Sequence, residues 1–346
     1  MRILFIGGTG IISSAVSPLA IERGHDLTLV TRGLSPKATA PEGAEVLTVD
    51  AHDTKALRSA LRGREFDAVV QWIAYTPDQI ADDLETFGGL SGQYVFISSA
   101  SAYEKPPSHY IVREDRTPLV NPFWEYSRDK IACEEALNTA IADGFPATIV
   151  RPSLTYGPSQ IPVCVGSWDT PWTIVDRIRR GAPILIPGDG TSLEVLTHHR
   201  DFAPGLLGLL GNPAAIGEAF HITSDEALTW NEIYADVAEA AGVDAEAFAA
   251  QVLHVPTDAL GAADEGLWGP LWGDKSHSIV YDNAKIKALV PDFAPSIPFA
   301  EGIRETVAWF ESDASRRAID DDFNTLSDRV AAIYARALRE AGDLRA

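Results

Sequence analysis

The sequence predicts an α/β protein: a doubly wound parallel sheet followed by a smaller mixed α/β lobe. Two observations support this. Short, wholly apolar runs alternate with helical patterns through the first half of the chain, as buried strands alternate with covering helices. After Arg151-Pro152, Pro and Gly become frequent and longer helical stretches follow. Because open α/β sheets bind ligands outside the carboxyl ends of their strands, we expect the second lobe to cover that edge.

The first strand and the turn after it carry the strongest signal. Residues 3–6 are apolar, end at a pair of glycines and give way to a helical pattern over residues 13–23. Such a strand, turn and helix N-terminus can bind a dinucleotide pyrophosphate, since backbone N–H groups and the helix dipole favour negative charge there. The spacing Gly7-x-x-Gly10-x-x-Ser13 puts a small serine at the usual third glycine. The segment therefore predicts a Rossmann-type dinucleotide-binding domain.

The other elements follow in order as apolar runs bounded by turn residues. We predict further strands at 27–31, 45–49, 68–74, 94–98 and 147–151, and helices at 55–62, 125–141 and 230–241. The dinucleotide-binding domain is predicted at 1–158, with 196–225 returning to it. The substrate lobe is predicted at 159–195 and 226–312, and an acidic helical tail at 313–346.

Composition excludes several classes of protein. A hydrophobic content of 46% in 346 residues supports a large folded core. The net charge of −21 opposes binding to nucleic acid or to an anionic membrane, so the expected partner is a small-molecule substrate, with a homodimer left open. No apolar run reaches transmembrane length, and only Cys133 and Cys164 are present, so we expect a cytoplasmic, reducing location. The acidic run 320–322 suits a helix start, and no metal site is expected.

A pair of residues in the predicted helix at 125–141 suggests proton transfer. Tyr126 and Lys130 stand four residues apart, so both project from one face. A nearby ammonium favours the phenolate, and we therefore expect Lys130 to lower the pKa of Tyr126 toward the working pH. The preceding strand ends in a serine-rich segment, 98–103, where a hydroxyl can bind a substrate oxygen beside the tyrosine.

Together with the glycine turn, this set resembles the extended short-chain dehydrogenases/reductases, the NAD-dependent epimerase/dehydratase family, of which the chain is an atypical member. The resemblance covers roughly residues 1–312. It implies hydride transfer at a secondary alcohol or ketone, with Tyr126 as acid/base, Lys130 binding the nicotinamide ribose and Ser99 orienting the substrate. The motifs that carry it are Gly7-Gly8-Thr9-Gly10, Trp72-Ile73-Ala74, Ser99, Tyr126 with Lys130, Arg151-Pro152, Tyr156-Gly157-Pro158, Gly188-Asp189-Gly190, Asp201, and Asp282-Asn283 to Trp309.

The resemblance also implies the positions that contact cofactor and substrate. The cofactor positions lie at the glycine turn, at strand ends and at the catalytic pair: Gly7, Gly8, Thr9, Gly10, Ile11, Ile12, Thr31, Arg32, Asp50, Ala51, Ile73, Ala74, Tyr126, Lys130 and Pro152. The substrate candidates are Tyr75, Ser99, Ser101, Tyr126 and Glu194.

One departure from the family bears on the cofactor. Members that prefer NAD place an acidic residue where Thr31 stands. Thr31 does not repel a 2′-phosphate, and Arg32 can pair with it, with Ser35 and Lys37 close behind. We therefore expect NADP(H), with NAD(H) as the alternative. Arg32 stacking on adenine, or remaining solvated, is the other interpretation.

Other departures bear on the substrate. Ser99 is followed by Ala100-Ser101, without the acidic pair of sugar 4,6-dehydratases. Glu194 and Leu154 replace the Arg and Asn that usually hold a diphosphate, and a carboxylate would repel one. We therefore expect an NAD(P)-dependent oxidoreductase acting on a sugar-like small molecule without a nucleoside diphosphate.

Two other functions remain open. A nucleotide-sugar epimerase would retain the cofactor and the first step, with Arg177, Arg179 or Arg180 gripping the diphosphate. Net redox and epimerisation share that step, so both outcomes stay open. The alternative of another class is a non-catalytic nucleotide- or RNA-binding relative of the same fold.

Some histidines and tryptophans give weaker indications of a functional role. Adjacent strand residues point to opposite faces, so His198-His199 is expected to be structural rather than a metal pair. The tryptophans of the second half suit either a sugar-stacking pocket or ordinary core and lid packing; they are Trp168, Trp172, Trp268 and Trp272.

Overall fold

The computed structural model describes residues 1–33 and 40–343, so Ser35 and Lys37 lie outside the described residues. The strands are β1 (Arg2–Ile6), β2 (Asp26–Thr31), β3 (Glu45–Thr48), β4 (Ala68–Gln71), β5 (Tyr94–Ile97), β6 (Ile111–Val112), β7 (Ala147–Pro152), β8 (Leu154–Tyr156), β9 (Ile184–Pro187), β10 (Leu193–Glu194), β11 (Leu196–His198), β12 (Ala219–Ile222), β13 (Leu228–Thr229), β14 (Val252–Val255) and β15 (Val280–Tyr281). The α-helices are α1 (Ser13–Glu22), α2 (Thr54–Ala60), α3 (Pro77–Phe87), α4 (Glu125–Ala142), α5 (Trp172–Arg179), α6 (His199–Leu209), α7 (Trp230–Ala240), α8 (Ala245–Ala249), α9 (Thr257–Ala263), α10 (Glu265–Pro270), α11 (Ala284–Leu289), α12 (Phe299–Glu311) and α13 (Asp321–Asp343).

Seven strands form one parallel sheet in the order β3-β2-β1-β4-β5-β7-β12. In its centre, Leu4 of β1 lies opposite Thr28 of β2 and Val69 of β4. The chain runs outward from β1 to β3 and then crosses to β4, so the carboxyl ends of β1 and β4 border the point where strand order reverses. Ligands bind at this switch point in doubly wound sheets. The predicted fold class is confirmed.

Helices cover both faces of the sheet. α1 and α6 pack against each other on one face, while α3 and α4 pack together on the other. The stretch from α6 to β12 lies with this first unit, because β12 extends the sheet beyond β7. Most predicted elements begin and end within a few residues of those observed; the strand predicted at 68–74 is shorter, ending at Gln71.

The second lobe is built from short strand pairs and helices around its own apolar core. β14 pairs in parallel with β9, and β10 pairs antiparallel with β13. The C-terminal helix α13 contacts α9 and β9 and contributes Phe323, Ala331 and Tyr334 to that core. Asp320 starts this helix as expected, since its Oδ1 accepts a 2.8 Å hydrogen bond from the Phe323 N–H.

The helices, the potential metal ligands and the two cysteines bear on membrane insertion, metal binding and disulfide formation. Within residues 1–33 and 40–343, no helix has the length and apolar character needed to cross a bilayer. In the same part of the chain, no group of three or more His, Cys, Asp or Glu residues is placed to hold a metal ion. Cys133 and Cys164 are both buried free thiols.

Candidate active site

The glycine turn after β1 has a backbone that only glycine adopts without strain. Gly7 and Gly8 have φ angles of +95° and +99°. A Cβ on Gly8 would lie 2.9 Å from Leu29 Cδ2 and 3.0 Å from Phe5 Cβ. Ser13, at the third position of the motif, accepts a 2.8 Å hydrogen bond from the Gly10 N–H, so its hydroxyl closes the turn. The serine thus adds a tether that glycine lacks.

The turn fits a dinucleotide pyrophosphate. Among the described residues, the N–H groups of Ile11 and Ile12 have no hydrogen-bond acceptor, as is normal at a helix N-terminus and suited to an anion. Within residues 1–33 and 40–343, the nearest neighbour of a Cβ placed on Gly10 is the Ser13 Oγ, at 3.8 Å, so these residues leave this side of the turn open for close approach.

The two glycines allow a matched test of this fit. Gly10→Ala is expected to fold normally but to weaken dinucleotide binding by about tenfold or more, because its methyl group occupies the phosphate approach. Gly8→Ala is expected to cost about 2–4 kcal/mol in the free energy of unfolding, from positive φ and overpacking. Calorimetric titration with NADP and urea denaturation measure the two effects. Unchanged cofactor affinity in Gly10→Ala would contradict the assignment of the glycine turn as the pyrophosphate-binding site.

His199, which the sequence predicted only to be structural, supports the turn. His199 begins α6, and its Nδ1 lies 2.9 Å from the Ser14 hydroxyl in the first turn of α1. Burial lowers the pKa of His199 to about 4, so the ring is neutral. His198 instead uses Nδ1 to accept from the Arg200 N–H at 3.3 Å. The two rings have separate hydrogen-bond partners, but their centres lie 4.7 Å apart. The expectation that they point to opposite faces of a strand is wrong, because His198 ends β11 and His199 begins α6.

The ends of β2 and β3 offer the positions expected at the adenosine half. The Thr31 hydroxyl accepts a 3.0 Å hydrogen bond from the Gly33 N–H, which shapes the end of β2. Arg32 and Asp50 are exposed at neighbouring strand ends, with Ala51 partly buried after Asp50. The structure thus places these four positions along one sheet edge.

The end of β4 is held against the glycine turn by a buried polar network. The Ile73 N–H donates to Gln71 Oε1 at 2.9 Å, and Gln71 Nε2 donates to Asp83 at 2.7 Å. The Tyr94 hydroxyl donates to the same carboxylate oxygen at 2.7 Å, and burial raises the pKa of Asp83 to about 6. The Gln71 side chain thus binds the N–H of Ile73, two residues further along the same segment. The strand β4 ends at Gln71 rather than at residue 74. A Cβ on Gly7 would lie 3.1 Å from Ile73 Cγ2, so the two loops are in contact.

Lys130 is fixed in the interior at the carboxyl ends of β4 and β5. Its ammonium donates to the carbonyl oxygens of Ala74 at 2.7 Å and Ile97 at 2.9 Å. It also lies 4.7 Å from the centre of the Tyr75 ring. The residue is 2% exposed, and burial lowers its pKa to about 8. These contacts bring the helix α4 and two strand ends together at one point.

Tyr126 lies beside this lysine, but the expectation that Lys130 lowers the pKa of Tyr126 is wrong. Burial raises the pKa of Tyr126 to about 12, although a hydrogen bond with Ser99 acts in the opposite direction. The Lys130 ammonium is bound to backbone carbonyls and sits 5.9 Å from the centre of the Tyr126 ring, so it does not stabilise a phenolate directly. At neutral pH Tyr126 is a phenol, able to donate a proton.

A chain of hydroxyl groups continues from Ser99. Its Oγ lies 2.9 Å from Ser101 Oγ, which accepts a 2.8 Å hydrogen bond from the Ser127 hydroxyl. Ser127 follows Tyr126 on α4 and is completely buried, so this chain fixes the serine segment against the helix. No sequence motif predicted a role for Ser127, because its spacing from the other site residues matches no known pattern.

A buried ion pair fixes α4 against the sheet. Arg151, which precedes Pro152 at the end of β7, donates to Glu134 of α4 at 2.6 Å. Ser98 at the end of β5 donates to the same carboxylate. Leaving one partner of such a pair unmatched is strongly destabilising, so the network holds the helix that carries Tyr126 in register with the strand ends.

Glu194 belongs to a charged cluster, defined here as Lys105, Glu194, Asp274 and Lys275. Lys105 Nζ lies 3.6 Å and Lys275 Nζ 3.7 Å from oxygens of Asp274. Burial, followed by the nearby Asp274 charge, raises the pKa of Glu194 above its usual range. The expectation that Glu194 repels a diphosphate stays a prediction. The two lysines are sequence-distant, and no motif predicted them.

The arginines considered for a diphosphate bind elsewhere. Arg177 donates to Asp328 of α13 at 2.7 Å, Arg179 to Glu311 at 2.6 Å and Arg180 to Asp176 at 2.6 Å. Their guanidinium groups serve the C-terminal helices and neighbouring surface, which contradicts the suggested role in gripping substrate.

The tryptophans divide between core and surface. Trp172 is buried in the core of the second lobe, whereas Trp168 is 62% and Trp268 40% exposed. Trp272 is partly buried and packs on Phe123 with ring centres 5.9 Å apart.

A separate cleft of about 660 Å³ opens among α7, α8 and β14. None of the predicted site residues lines it. The edge of the parallel sheet remains the better candidate, because convergent polar groups and residues with perturbed pKa values meet there.

The sequence is similar to that of a known protein family and to those of individual proteins. A profile of the NAD dependent epimerase/dehydratase family matches residues 3–223. The chain is 29% identical over 253 residues to the chloroplast stem-loop binding protein of 41 kDa b of Arabidopsis thaliana, covering 70% of this chain and 63% of that protein. It is 28% identical over 243 residues to 2'-dehydrokanamycin reductase of Streptomyces kanamyceticus, covering 70% and 67%. The chain thus spans less than two thirds of the plant relative.

The solved structures support the same fold. An epimerase of Methanothermobacter thermautotrophicus superposes with a TM-score of 0.74 at 20% identity, covering 91% of this chain and 93% of that one. Since the family profile also matches more than half of the chain, this protein belongs to the NAD dependent epimerase/dehydratase family.

Proposed function

We propose that the protein is an NAD(P)-dependent oxidoreductase that transfers hydride at a secondary alcohol or ketone of a sugar-like small molecule. One observation carries this proposal. The phenol of Tyr126 and the ammonium of Lys130 project from one face of α4 beside Ser99, and Lys130 is tied to the loops that end β4 and β5. Those strand ends adjoin the glycine turn that fits a dinucleotide.

The residues around Tyr126 support proton donation to a substrate oxygen. With its pKa raised to about 12 by burial, Tyr126 holds a proton at neutral pH and can give it to the oxygen of a ketone as that oxygen becomes an alkoxide. Ser99 orients the same oxygen through its hydroxyl, which already faces Tyr126. A bound nicotinamide dinucleotide supplies the hydride or accepts it.

The roles of the other predicted residues follow from their positions. Residues 7–12 bind the pyrophosphate through backbone N–H groups, and Lys130 binds the nicotinamide ribose while holding Ala74 and Ile97 in place. Tyr75, 46% exposed with its ring centre 6.4 Å from that of Tyr126, forms one wall for the substrate. The exposed positions at the ends of β2 and β3 bind the adenosine half.

We further propose that NADP(H) is preferred, since Thr31 carries no charge and Arg32 is exposed beside it. Arg32→Ala is expected to weaken NADP binding by about tenfold, the value of one charge-assisted contact, while leaving NAD affinity within about twofold. Fluorescence titration of both reduced cofactors measures this. Arg58→Ala, which removes an exposed arginine on α2, is the matched control. Tighter NAD binding that is insensitive to Arg32→Ala would contradict the preference but not the dinucleotide site.

The experiment that tests the function is a cofactor-coupled assay. Purified protein with either reduced or oxidised cofactor is presented with aldoses, ketoses, polyols and sugar acids, and the change in reduced cofactor is followed by absorbance. Turnover of any of these supports the proposal. Turnover that requires a nucleoside diphosphate sugar, with no net change in cofactor, would favour a nucleotide-sugar epimerase instead.

The name of the plant relative raises a nucleic-acid alternative. Non-specific nucleic-acid binding depends on cationic contacts to phosphates, which a net charge of −21 disfavours. A binding assay with a stem-loop RNA at physiological salt decides between the classes. Submicromolar, salt-dependent binding without any cofactor-linked turnover would contradict the enzymatic proposal.

A further inference from the structure

The charged cluster lies in the protein interior beside the candidate active site. Lys105 is 2%, Glu194 5% and Lys275 8% exposed, and the Asp274 side chain is 15% exposed. Charged groups are almost never this buried unless they are paired or bind something. Asp274 lies within 4 Å of both lysines, and Glu194 is close enough for their charges to affect its pKa. This grouping of residues from three distant parts of the chain needs a physical explanation.

The cluster is tied directly to the serine segment of the candidate active site. Asp274 and Lys275 belong to a π-helical turn, Leu271–Lys275, a conformation frequent at functional sites. The buried Asn121 side chain donates to Gly273 O in this turn at 2.7 Å and to Ser101 O at 2.8 Å. One amide group thus couples the two segments.

The cluster also lies one aromatic ring away from Tyr126. Lys275 Nζ is 5.7 Å from the centre of the Trp124 ring, whose other neighbour is the Tyr126 ring at 4.9 Å. The Asp274 charge is close enough to contribute to the raised pKa of Tyr126. Lys275 and Tyr126 are thus neighbours of the same ring, close enough for one sugar-sized molecule to meet both.

The lysines are incompletely paired. Their Nζ–O distances to Asp274, 3.6 and 3.7 Å, exceed the roughly 2.7–2.9 Å of a charge-assisted hydrogen bond. In residues 1–33 and 40–343, the Lys275 ammonium has no hydrogen-bond acceptor, while Lys105 has only the Tyr103 carbonyl at 3.5 Å. Glu194 has one carboxyl oxygen occupied by the Val195 N–H at 3.0 Å. In the same residues, Asp274 is the one carboxylate within 4 Å of the two ammonium groups, so a further anion is the partner that these buried lysines lack.

We propose that Lys275, backed by Lys105 and Asp274, binds a carboxylate carried by the substrate, so that the enzyme acts on sugar acids such as uronates or aldonates. A substrate carboxylate can accept a hydrogen bond from the Lys275 ammonium, and burying its single charge costs less than burying the greater charge of a phosphate ester. This inference rests on the proposed function, because it extends the same crevice from the reacting oxygen to a second recognition point.

The test is binding of matched ligand pairs to the protein saturated with oxidised cofactor, measured by calorimetry. Galacturonate is compared with galactose and galactose 1-phosphate, and gluconate with glucitol. In the natural protein we expect at least one acid to bind about tenfold or more tightly than its neutral partner. Lys275→Met should remove that preference, Lys275→Arg should retain part of it, and the control Lys55→Met, on exposed α2, should change nothing. Cofactor affinity and the thermal midpoint verify that each variant is folded.

The outcomes separate this inference from the proposed function. Equal binding of acid and neutral sugar, tighter binding of the phosphate ester, or an acid preference that survives Lys275→Met would each overturn the carboxylate site. Cofactor-linked turnover of a neutral sugar alone would do so while supporting hydride transfer. Lys275-dependent binding of an acid that is never oxidised or reduced would instead support the carboxylate site and count against the proposed hydride transfer.

Discussion

Replacing Tyr126 with phenylalanine is expected to lower kcat/KM by about 10²–10⁴-fold, the usual contribution of a positioned general acid. The substitution removes only the hydroxyl that donates the proton. The ring and its packing on Trp124, with centres 4.9 Å apart, remain. Because the phenol is partly buried and its pKa is raised to about 12, no solvent proton replaces it efficiently. Steady-state kinetics with a substrate found in the coupled assay measure the loss.

The Tyr126→Phe result has to be separated from a folding defect. Dinucleotide affinity and the free energy of unfolding are expected to stay close to those of the natural protein, since the hydroxyl has no role in the glycine turn. Tyr334→Phe on α13 is a matched control, because it removes a phenol from the second lobe far along the chain. Retention of full activity in Tyr126→Phe would exclude this residue as the acid.

Lys130→Met is expected to damage both activity and stability. Without the ammonium, the carbonyl oxygens of Ala74 and Ile97 lose buried donors at 2.7 and 2.9 Å. An unsatisfied buried acceptor costs about 1–3 kcal/mol, partly offset here because a desolvated charge is also removed. We expect a net loss of about 1–3 kcal/mol in the free energy of unfolding and a fall of at least about 10²-fold in kcat/KM.

Two measurements distinguish the role of Lys130 from simple destabilisation. Urea denaturation gives the free energy of unfolding, and kinetics below the unfolding range give kcat/KM and the KM for cofactor. Lys287→Met removes an exposed lysine paired with Asp225 and should change stability by less than about 1 kcal/mol and activity not at all. If Lys130→Met keeps the cofactor affinity and the turnover of the natural protein, the proposed role of Lys130 between the nicotinamide ribose and the Tyr126 phenol is wrong.

The sequence predicted well those features whose signal is local. The glycine turn, the spacing from Tyr126 to Lys130 and the apolar strand runs are each contained in a few consecutive residues, and the structure has the corresponding strands and helices. Parallel strands then bring their carboxyl ends to one edge, so the order of elements alone places Ser99 near Ile73-Ala74.

Features that depend on three-dimensional environment were missed or wrong. The pKa of Tyr126 depends on burial and on which groups accept from Lys130, and neither is visible in a four-residue spacing. The pKa of Glu194 depends on desolvation and on the nearby Asp274 charge, which the sequence does not show. Lys105 and Lys275 come together only because the loop after β5 and the π-helical turn meet across Asn121.

The most direct test of hydride transfer is the fate of deuterium placed at both hydrogen positions on C4 of the reduced nicotinamide, so that transfer from either face of the ring delivers the label. After single-turnover incubation of the natural protein with deuterated cofactor and a keto sugar or keto sugar acid, the account predicts one deuterium on the carbon bearing the new hydroxyl group, detected by mass spectrometry. Tyr126→Phe with the same bound cofactor should give little labelled product. Product that forms without deuterium, or label transfer that is equally fast in Tyr126→Phe, would contradict the account.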